Sequence, residues 1–369
     1  MNLNERDLKH SFPTRHILIA SVNDGLKGGA EGVLLQIATF FRQKGCYIHV
    51  LFIRKKSFNE WIDKHIDGYS YYYLSVKSIL LLSKLRFEKT FTSHPMLTGI
   101  IGVMRKIHLV KTDSFIAREP HTLTENKGIK RVIRTLYRKL GYSALDLLIC
   151  QTELMKKMFI RYNPKSKIRI EVIPNPISID REKEIVAIMP SVTNPYIVAA
   201  GRYVPEKAFD ILIMAFSVFR KSHPEFKLVI LGEKQRYPKF EKEIKELIRK
   251  FHLEESVILF GSVENVFPYF NQATMCIVSS RSEGFPNVLL QMMSQNEKVV
   301  STLCAGDIDK IQGLFTCKTN DEGDLLRAMQ QCLEADTSRN RELFDKELQN
   351  HSIEKFIEMT ESYGNENSI

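Results

Sequence analysis

The chain alternates short apolar runs with longer segments in which apolar residues recur every three to four positions. His16 to Val22 is one short run, Ala30 to Arg42 carries helical spacing, and Tyr47 to Ile53 is apolar and β-prone again. Between the first two lies the loop Asn23-Asp24-Gly25-Leu26-Lys27-Gly28-Gly29. This order predicts a β–loop–α–β unit of the kind that binds nucleotides or phosphates. Gly28 and Gly29 sit in its first turn, where they either contact a ligand or tighten the backbone; the spacing is neither the GxGxxG fingerprint nor a GKS/T phosphate loop. Ser114 to Arg118 and Leu145 to Cys150 predict further buried strands, and Ile170 to Ile173 runs into Pro174-Asn175-Pro176.

Periodicity then lapses. A charged stretch, Asp180 to Glu184, is followed by Pro190, Asn194 and Pro195, which is the composition of a linker over 179–195. The pattern restarts with strand Tyr196 to Ala200, helix Phe209 to Lys221, strand Lys227 to Leu231, helix Lys239 to Phe251, and strands Val257 to Phe260 and Thr274 to Val278. Strands alternating with helices of this length predict an α/β chain of two Rossmann-like, doubly wound parallel-sheet domains: 1–178, and 196–351. Their carboxyl edges would flank a central cleft, the expected ligand site.

The strand at 274–278 runs into Ser279-Ser280-Arg281-Ser282-Glu283-Gly284-Phe285-Pro286-Asn287-Val288-Leu289-Leu290-Gln291. Gly284 permits a tight or left-handed backbone, and Pro286 suits the first turn of a helix, where a missing N–H costs nothing. A helix starting at a strand's carboxyl end favours an anion through its free N–H groups and dipole. Glu283 is then an acid beside an anion site, with hydroxyls as its expected partners. A second constellation, Gly201-Arg202-Tyr203-Val204-Pro205-Glu206-Lys207, follows the first strand of the second domain. The guanidinium fork of Arg202 and the point charge of Lys207 suit two phosphates, unless they are simply solvated.

Charge adds an asymmetry. Residues 1–180 hold 30 Lys and Arg against 15 Asp and Glu, a net of +15; the remainder holds 23 against 28, a net of −5. The basic half points to a polyanion, such as nucleic acid, an anionic membrane surface or a phosphorylated acceptor, although any single cluster also reads as a solvated face. No run approaches the roughly 20 apolar residues of a membrane span, and Met1 to Lys9 is too charged for a secretory signal, so a cytoplasmic protein is expected. Six scattered cysteines without a CxxC pair predict buried thiols.

The segments Gly201 to Ile213, Gly232, Val257 to Gly261, Val266 to Phe270 and Ser279 to Gln291 closely resemble the nucleotide-sugar half of glycosyltransferase family 4. The likeness is dense over 196–300 and weaker over 15–55, where the loop ending Gly28-Gly29-Ala30-Glu31 is similar to that family's N-terminal glycine-rich loop. The resemblance implies the GT-B fold and sugar transfer with retention of configuration, of the type that builds bacterial surface polysaccharide. It implies that Arg202 and Lys207, with Gly201, hold the donor diphosphate, that Glu283 opens an E-x7-E element, and that Gly284, Phe285, Pro286 and Asn287 lie along the donor sugar and phosphates. It also implies that 352–369 crosses back to brace the first domain.

This chain departs from the pattern twice. Gln291 replaces the second acid of E-x7-E, and Lys207-Ala208-Phe209-Asp210 replaces Lys-Gly-Phe-Asp. Eight residues from Glu283 to Gln291 make about two helical turns, so both could face one ligand. The family's second acid commonly meets the nucleotide ribose, and glutamine keeps an acceptor there without the charge. Ala208 adds a methyl that ordinary helical backbone accepts.

In the basic half, Arg118-Glu119-Pro120-His121 follows a strand and is expected at the cleft. His121 is there either an acceptor-side base or sugar contact, or a structural histidine. No Asp, His or Cys cluster has metal-ligand spacing, so neither a metal nor a cofactor is expected beyond the nucleotide-sugar substrate, a UDP-sugar by preference. The expected acceptor is a polyprenyl-diphosphate-linked saccharide. Peripheral docking on an anionic inner membrane face would use the apolar-plus-basic stretches Ile79 to Lys89 and Met96 to Lys111. No nucleic-acid motif is present, and no nucleic-acid partner is expected. A weakly active or non-catalytic nucleotide-sugar binder, or a GT-B sugar-nucleotide epimerase, remains the alternative.

Overall fold

The computed structural model describes residues 15–23, 29–54, 68–120, 136, 138–177, 192, 195–232, 238–263 and 265–365. The chain divides into two compact units. One comprises residues 1–176 with 353–369, and the other residues 177–352. The helix Ile353–Asn365 packs in the first unit through Phe356 and Ile357, beside Ile37 and Phe41.

The first unit contains strands β1 (His16–Asn23), β2 (Tyr47–Arg54), β3 (Tyr69–Tyr73), β4 (Arg86–Thr92), β5 (Lys111–Arg118), β6 (Leu147–Cys150) and β7 (Ile170–Val172). They form one parallel sheet in the order β3-β2-β1-β4-β5-β6-β7. The alternation of a strand puts Ile17 and Ile19 into the core on one face and Leu18 and Ala20 into the core on the other. A sheet covered on both faces needs apolar residues at every position, which is why β1 reads as an unbroken apolar run.

The second unit repeats the plan with β8 (Tyr196–Ala200), β9 (Lys227–Leu231), β10 (Val257–Gly261), β11 (Met275–Val278), β12 (Val299–Thr302) and β13 (Phe315–Cys317). The order is β10-β9-β8-β11-β12-β13, all parallel. Ile197 and Ala199 face one core, Tyr196 and Val198 the other. The chain reverses its direction of travel across the sheet between β8 and β11, so their following loops diverge to opposite faces and leave a crevice at the carboxyl ends of these two strands. The loops that leave there begin at Gly201 and Ser279.

Several expectations change in this frame. The helix Val76–Leu82 and strand β4 share the stretch Ile79 to Lys89 that was read from sequence as amphipathic. Ile79 to Lys89 is the end of a helix, a turn and most of a strand, and Leu82 and Phe87 are core residues. Within Met96 to Lys111, Leu97, Ile101 and Met104 are buried, which leaves Val103 and Ile107 as the exposed apolar positions. Of the linker expected over 179–195, only Val192 and Pro195 lie among the described residues. All six cysteines are buried free thiols. No helix of the described residues is long and apolar enough to cross a membrane.

Candidate active site at the carboxyl edge of the second sheet

Strands β8, β9 and β10 end at Gly201, Gly232 and Gly261, each with positive φ. A Cβ on Gly232 would come within 1.8 Å of the Gly201 carbonyl oxygen, and one on Gly201 within 2.9 Å of the Lys207 side chain. Glycine is required because the strand ends approach one another this closely, and the Lys207 stem lies over the bare backbone at 201. Lys207 closes a short 3₁₀ turn, Pro205–Lys207.

Lys207 Nζ sits 2.7 Å from Glu283 Oε1, in a pair whose side chains are 16% and 17% exposed. The Ser280 hydroxyl donates to the same oxygen at 3.0 Å, and the Glu283 N–H donates to Cys304 O at 2.8 Å. Glu283 is thus fixed by a hydroxyl, an ammonium and its own backbone, and the two opposed charges are largely buried. Arg202 is half-buried and, among the described residues, has no ion-pair partner. Of the two cations named from sequence, Lys207 is held by an acid, whereas Arg202 pairs with no acid among the described residues.

The rest of the corner follows. Gly284 is buried and does not have positive φ, so the left-handed backbone allowed for it from sequence is not used. The Phe285 ring lies 5.8 Å from the buried His351 ring. Pro286 is the N-cap of the helix Asn287–Gln295, one position earlier than expected, with φ −77° and ψ 103°. Glu283 therefore precedes the helix. The spacing from Glu283 to Gln291 is not two helical turns; Gln291 stands one turn into the helix, half-buried, and Glu283 belongs to the loop.

Ala208 also corrects the sequence reading. It has φ 51° and ψ 40°, the left-handed region, and caps the helix Phe209–Ser222 from there without a side-chain bond. Glycine takes this conformation freely, whereas a methyl adds about 1–2 kcal/mol of strain. The difference from Lys-Gly-Phe-Asp is a tolerated backbone strain and not an ordinary helical position.

Residues that sequence reasoning did not select complete the site. Ser279 Oγ donates to Lys207 O at 2.8 Å, the Arg281 N–H donates to Glu206 O at 2.7 Å, and the Arg281 guanidinium donates to Pro205 O and to both carboxylate oxygens of Asp210. Cys304 supplies the carbonyl that holds Glu283. Burial, and then the Glu283 charge, push its thiol up to about 12, so it is a neutral thiol at ordinary pH. The contacts of Ser279 and Arg281 with the 205–210 segment pair residues more than 70 positions apart, and only a basic residue inside the motif loop hinted at them.

At the carboxyl edge of the first sheet, Gly28 and His121 lie outside the described residues, and Gly29 begins the helix Gly29–Gln43. Arg118 and Glu119, expected to face a ligand, are buried at 6% and 4% exposure. Arg118 donates to Asn175 Oδ1 at 2.8 and 2.5 Å and to Ser93 Oγ at 3.0 Å, and Asn175 donates on to Gln151. Burial lowers the Arg118 guanidinium to about 10. Glu119 takes Arg138 at 3.3 Å and the Tyr142 hydroxyl at 3.4 Å. Both residues hold loop ends together from inside. Among the described residues no group of three His, Cys, Asp or Glu could hold a metal ion.

Residues 194–335 match the family profile "Glycosyl transferases group 1". An uncharacterised glycosyltransferase of Haemophilus influenzae is 22% identical over 91% of this chain and 96% of its own. A Campylobacter jejuni N-acetylgalactosamine-N,N'-diacetylbacillosaminyl-diphospho-undecaprenol 4-alpha-N-acetylgalactosaminyltransferase is 24% identical over 58% of this chain and 57% of its own. With some curated relatives the match is shorter; the chain spans about half the length of an uncharacterised glycosyltransferase of Methanocaldococcus jannaschii, 45%, at 28% identity over 48% of this chain. In fold, the Anabaena protein HepE, crystallised with UDP, superposes with a TM-score of 0.78 at 15% identity over 94% of this chain and 98% of that one. The sheet orders and these likenesses establish the α/β GT-B fold, and the matches together support a glycosyltransferase.

Proposed function

We propose that the protein is a retaining hexosyltransferase that moves a sugar from a nucleotide-diphosphate sugar, a UDP-linked hexose or N-acetylhexosamine, to a lipid-linked saccharide during O-antigen or capsule-type polysaccharide synthesis. The observation that carries this reading is the Lys207–Glu283 pair, which sets a cation and an acid side by side where the second sheet reverses its order. In this reading Lys207 and Arg202 meet the diphosphate beside Gly201, and Glu283 meets hydroxyls of the donor sugar. Phe285, Pro286 and Asn287 line the sugar and phosphates next to Gly284. Gln291 accepts from the ribose. His121 serves the acceptor side, and Gly28 and Gly29 contact the donor. As the glycosidic bond breaks, negative charge gathers on the departing diphosphate; two cations and the start of the helix Asn287–Gln295 stabilise it, with no metal needed.

HepE has been crystallised with UDP and with UDP-glucose, and the C. jejuni relative is named for a diphospho-undecaprenol-linked acceptor, which supports the donor and acceptor classes. A screen of UDP-, GDP- and ADP-sugars by thermal shift, followed by transfer to lipid-linked saccharides, tests the reading; stabilisation by none of them overturns it. Activity that a chelator abolishes and manganese restores overturns metal independence.

Peripheral attachment to the inner membrane face belongs to the same proposal. Val76 and Leu80, 76% and 55% exposed, lie on one helix with the exposed Lys77, and exposed Lys84 follows. Apolar side chains flanked by lysines suit an anionic lipid surface. Sedimentation with phosphatidylglycerol vesicles should capture the protein and release it as salt rises; capture unaltered by Leu80→Glu refutes this surface.

A further inference from the structure

We propose that Arg281 is a positioning residue that sets donor affinity through Lys207, which it does not touch by its side chain. This rests on the donor reading above. Lys207 lies in the 3₁₀ turn Pro205–Lys207, three residues long, and the helix that follows starts from a left-handed Ala208 with no side-chain cap. So short a turn has little to fix it internally. Instead, all three of its carbonyls accept from the loop that carries Glu283: Pro205 O from the Arg281 guanidinium, Glu206 O from the Arg281 N–H, and Lys207 O from Ser279 Oγ.

The Arg281 guanidinium then reaches past the turn to the first turn of the next helix. There it meets both oxygens of Asp210, at 3.0 and 2.5 Å, in the two-pronged geometry that lysine cannot reproduce. The loop is anchored in turn on the far side, where Thr302 Oγ1 donates to Ser280 O at 2.6 Å and Glu283 N–H donates to Cys304 O at 2.8 Å. One arginine therefore spans the two segments that bear the ammonium and the carboxylate, and makes their separation a property of one braced assembly. The Arg281–Asp210 pair is about three-quarters buried on each side, which keeps water from competing for its bonds. A donor diphosphate that must meet Lys207 at hydrogen-bond distance responds to its displacement, because a charge-assisted N–H···O bond is strong only near about 2.7–2.9 Å and weakens as the donor moves off line.

The test is a double-mutant cycle between Arg281 and Lys207, read as UDP affinity by calorimetry and as midpoint of urea unfolding on the same full-length proteins. Arg281→Ala should weaken UDP binding about 10-fold, Arg281→Lys should fall between it and the unmutated chain, and Lys207→Met should weaken binding by more. In the Lys207→Met background, Arg281→Ala should cost no further affinity while still lowering the unfolding midpoint. A structural role alone would give the same loss of affinity in both backgrounds, and that result overturns the proposal. Unchanged UDP affinity in Arg281→Ala overturns it as well. If Arg281→Ala does not fold, Arg281→Lys and Asp210→Asn in the same cycle carry the test. An unmutated chain that binds none of UDP, GDP and ADP overturns the donor reading, and this inference with it, a result distinct from a bound nucleotide insensitive to Arg281.

Discussion

Replacing Glu283 by glutamine should tighten binding of UDP while nearly abolishing sugar transfer. The amide has the shape of the carboxylate and can still accept from Ser280 Oγ and Lys207 Nζ, so the change removes charge with little change of geometry. Two unit charges 2.7 Å apart attract by about 6 kcal/mol at an effective dielectric of ~20. Desolvation takes back most of this, because both side chains are largely buried, and leaves about 1–2 kcal/mol of net stabilisation. Glu283→Gln should therefore lower stability by that amount, or roughly 2–8 °C in the unfolding of this unit. The same energy reappears in binding. In the donor-free protein the carboxylate holds the ammonium, and an incoming diphosphate must share it and meet a like charge beside it. Without the carboxylate, UDP should bind about 5- to 30-fold more tightly, a gain that shrinks as salt rises. Transfer from the UDP-sugar should fall by about 100-fold or more, since the sugar hydroxyls lose a charged acceptor. Calorimetry with UDP and a transfer assay on one preparation separate the two effects. If Glu283→Gln binds UDP more weakly than the unmutated protein, the carboxylate does not compete for Lys207 and the reasoning fails.

Three further outcomes follow from the backbone and the core. Gly232→Ala should cost about 3 kcal/mol or more in urea unfolding, because its Cβ would lie 1.8 Å from the Gly201 oxygen at a φ of 148°; a loss under about 1 kcal/mol would show that the strand ends are not so close. Ala208→Gly should alter stability by less than about 1 kcal/mol, since relief of the left-handed strain offsets the added chain entropy and the lost burial of a methyl, whereas Ala208→Val should cost at least about 2 kcal/mol; the reverse order would exclude the left-handed backbone. Stability should also fall with acid. His49 lies 3.0 Å from His16 and 3.1 Å from the Tyr72 hydroxyl, and burial, then the neighbouring His16, lower it to about 3. The unfolded chain binds that proton near pH 6.5 and the folded chain does not, so the neutral ring's contribution is present above pH 6.5 and lost as pH falls toward 3, about 2 kcal/mol by pH 5. His49→Gln should flatten that slope in urea titrations at pH 7 and 5, and an unchanged slope would place the titrating group elsewhere.

The parallel strands with two covered faces were legible because double burial writes apolar runs into the sequence. β1, β2, β8 and β9 fall within a residue or so of their expected bounds. The edge strands β3 and β13 were not, and neither was the central β4, whereas the edge strand β10 was. β3, Tyr-Ser-Tyr-Tyr-Tyr, is half-exposed along its whole length and shows neither alternation nor an apolar run. The three-residue β13 is too short for any period to register. The helix Pro95–Lys106 escaped for another reason. Its glycines at 99 and 102 are helix-weakening in isolation, yet both are buried, so tertiary contact overrides propensity.

At the site, side-chain chemistry was legible and backbone chemistry was not. Arg202, Lys207 and Glu283 announce themselves by charge within glycine-bearing loops, and the structure brings Lys207 and Glu283 into one ion pair. The carbonyls of Pro205, Glu206, Lys207 and Cys304, which locate that pair, are present at every position of every chain and so leave no trace in residue identity. The motif spacing hides the break between loop and helix for the same reason. Glu283 and Gln291 look like one helical face only if the helix begins before Pro286, whereas the ring at the N-cap stops it there. Under the proposed function, glutamine in place of the second acid of E-x7-E then bears on the nucleotide end of the donor alone. Gln291 rides on the helix, Glu283 on a loop braced against Lys207, and a change at 291 leaves that brace intact. Under the proposed function, such a chain can alter its nucleotide contact without disturbing the pair assigned to the sugar and the diphosphate.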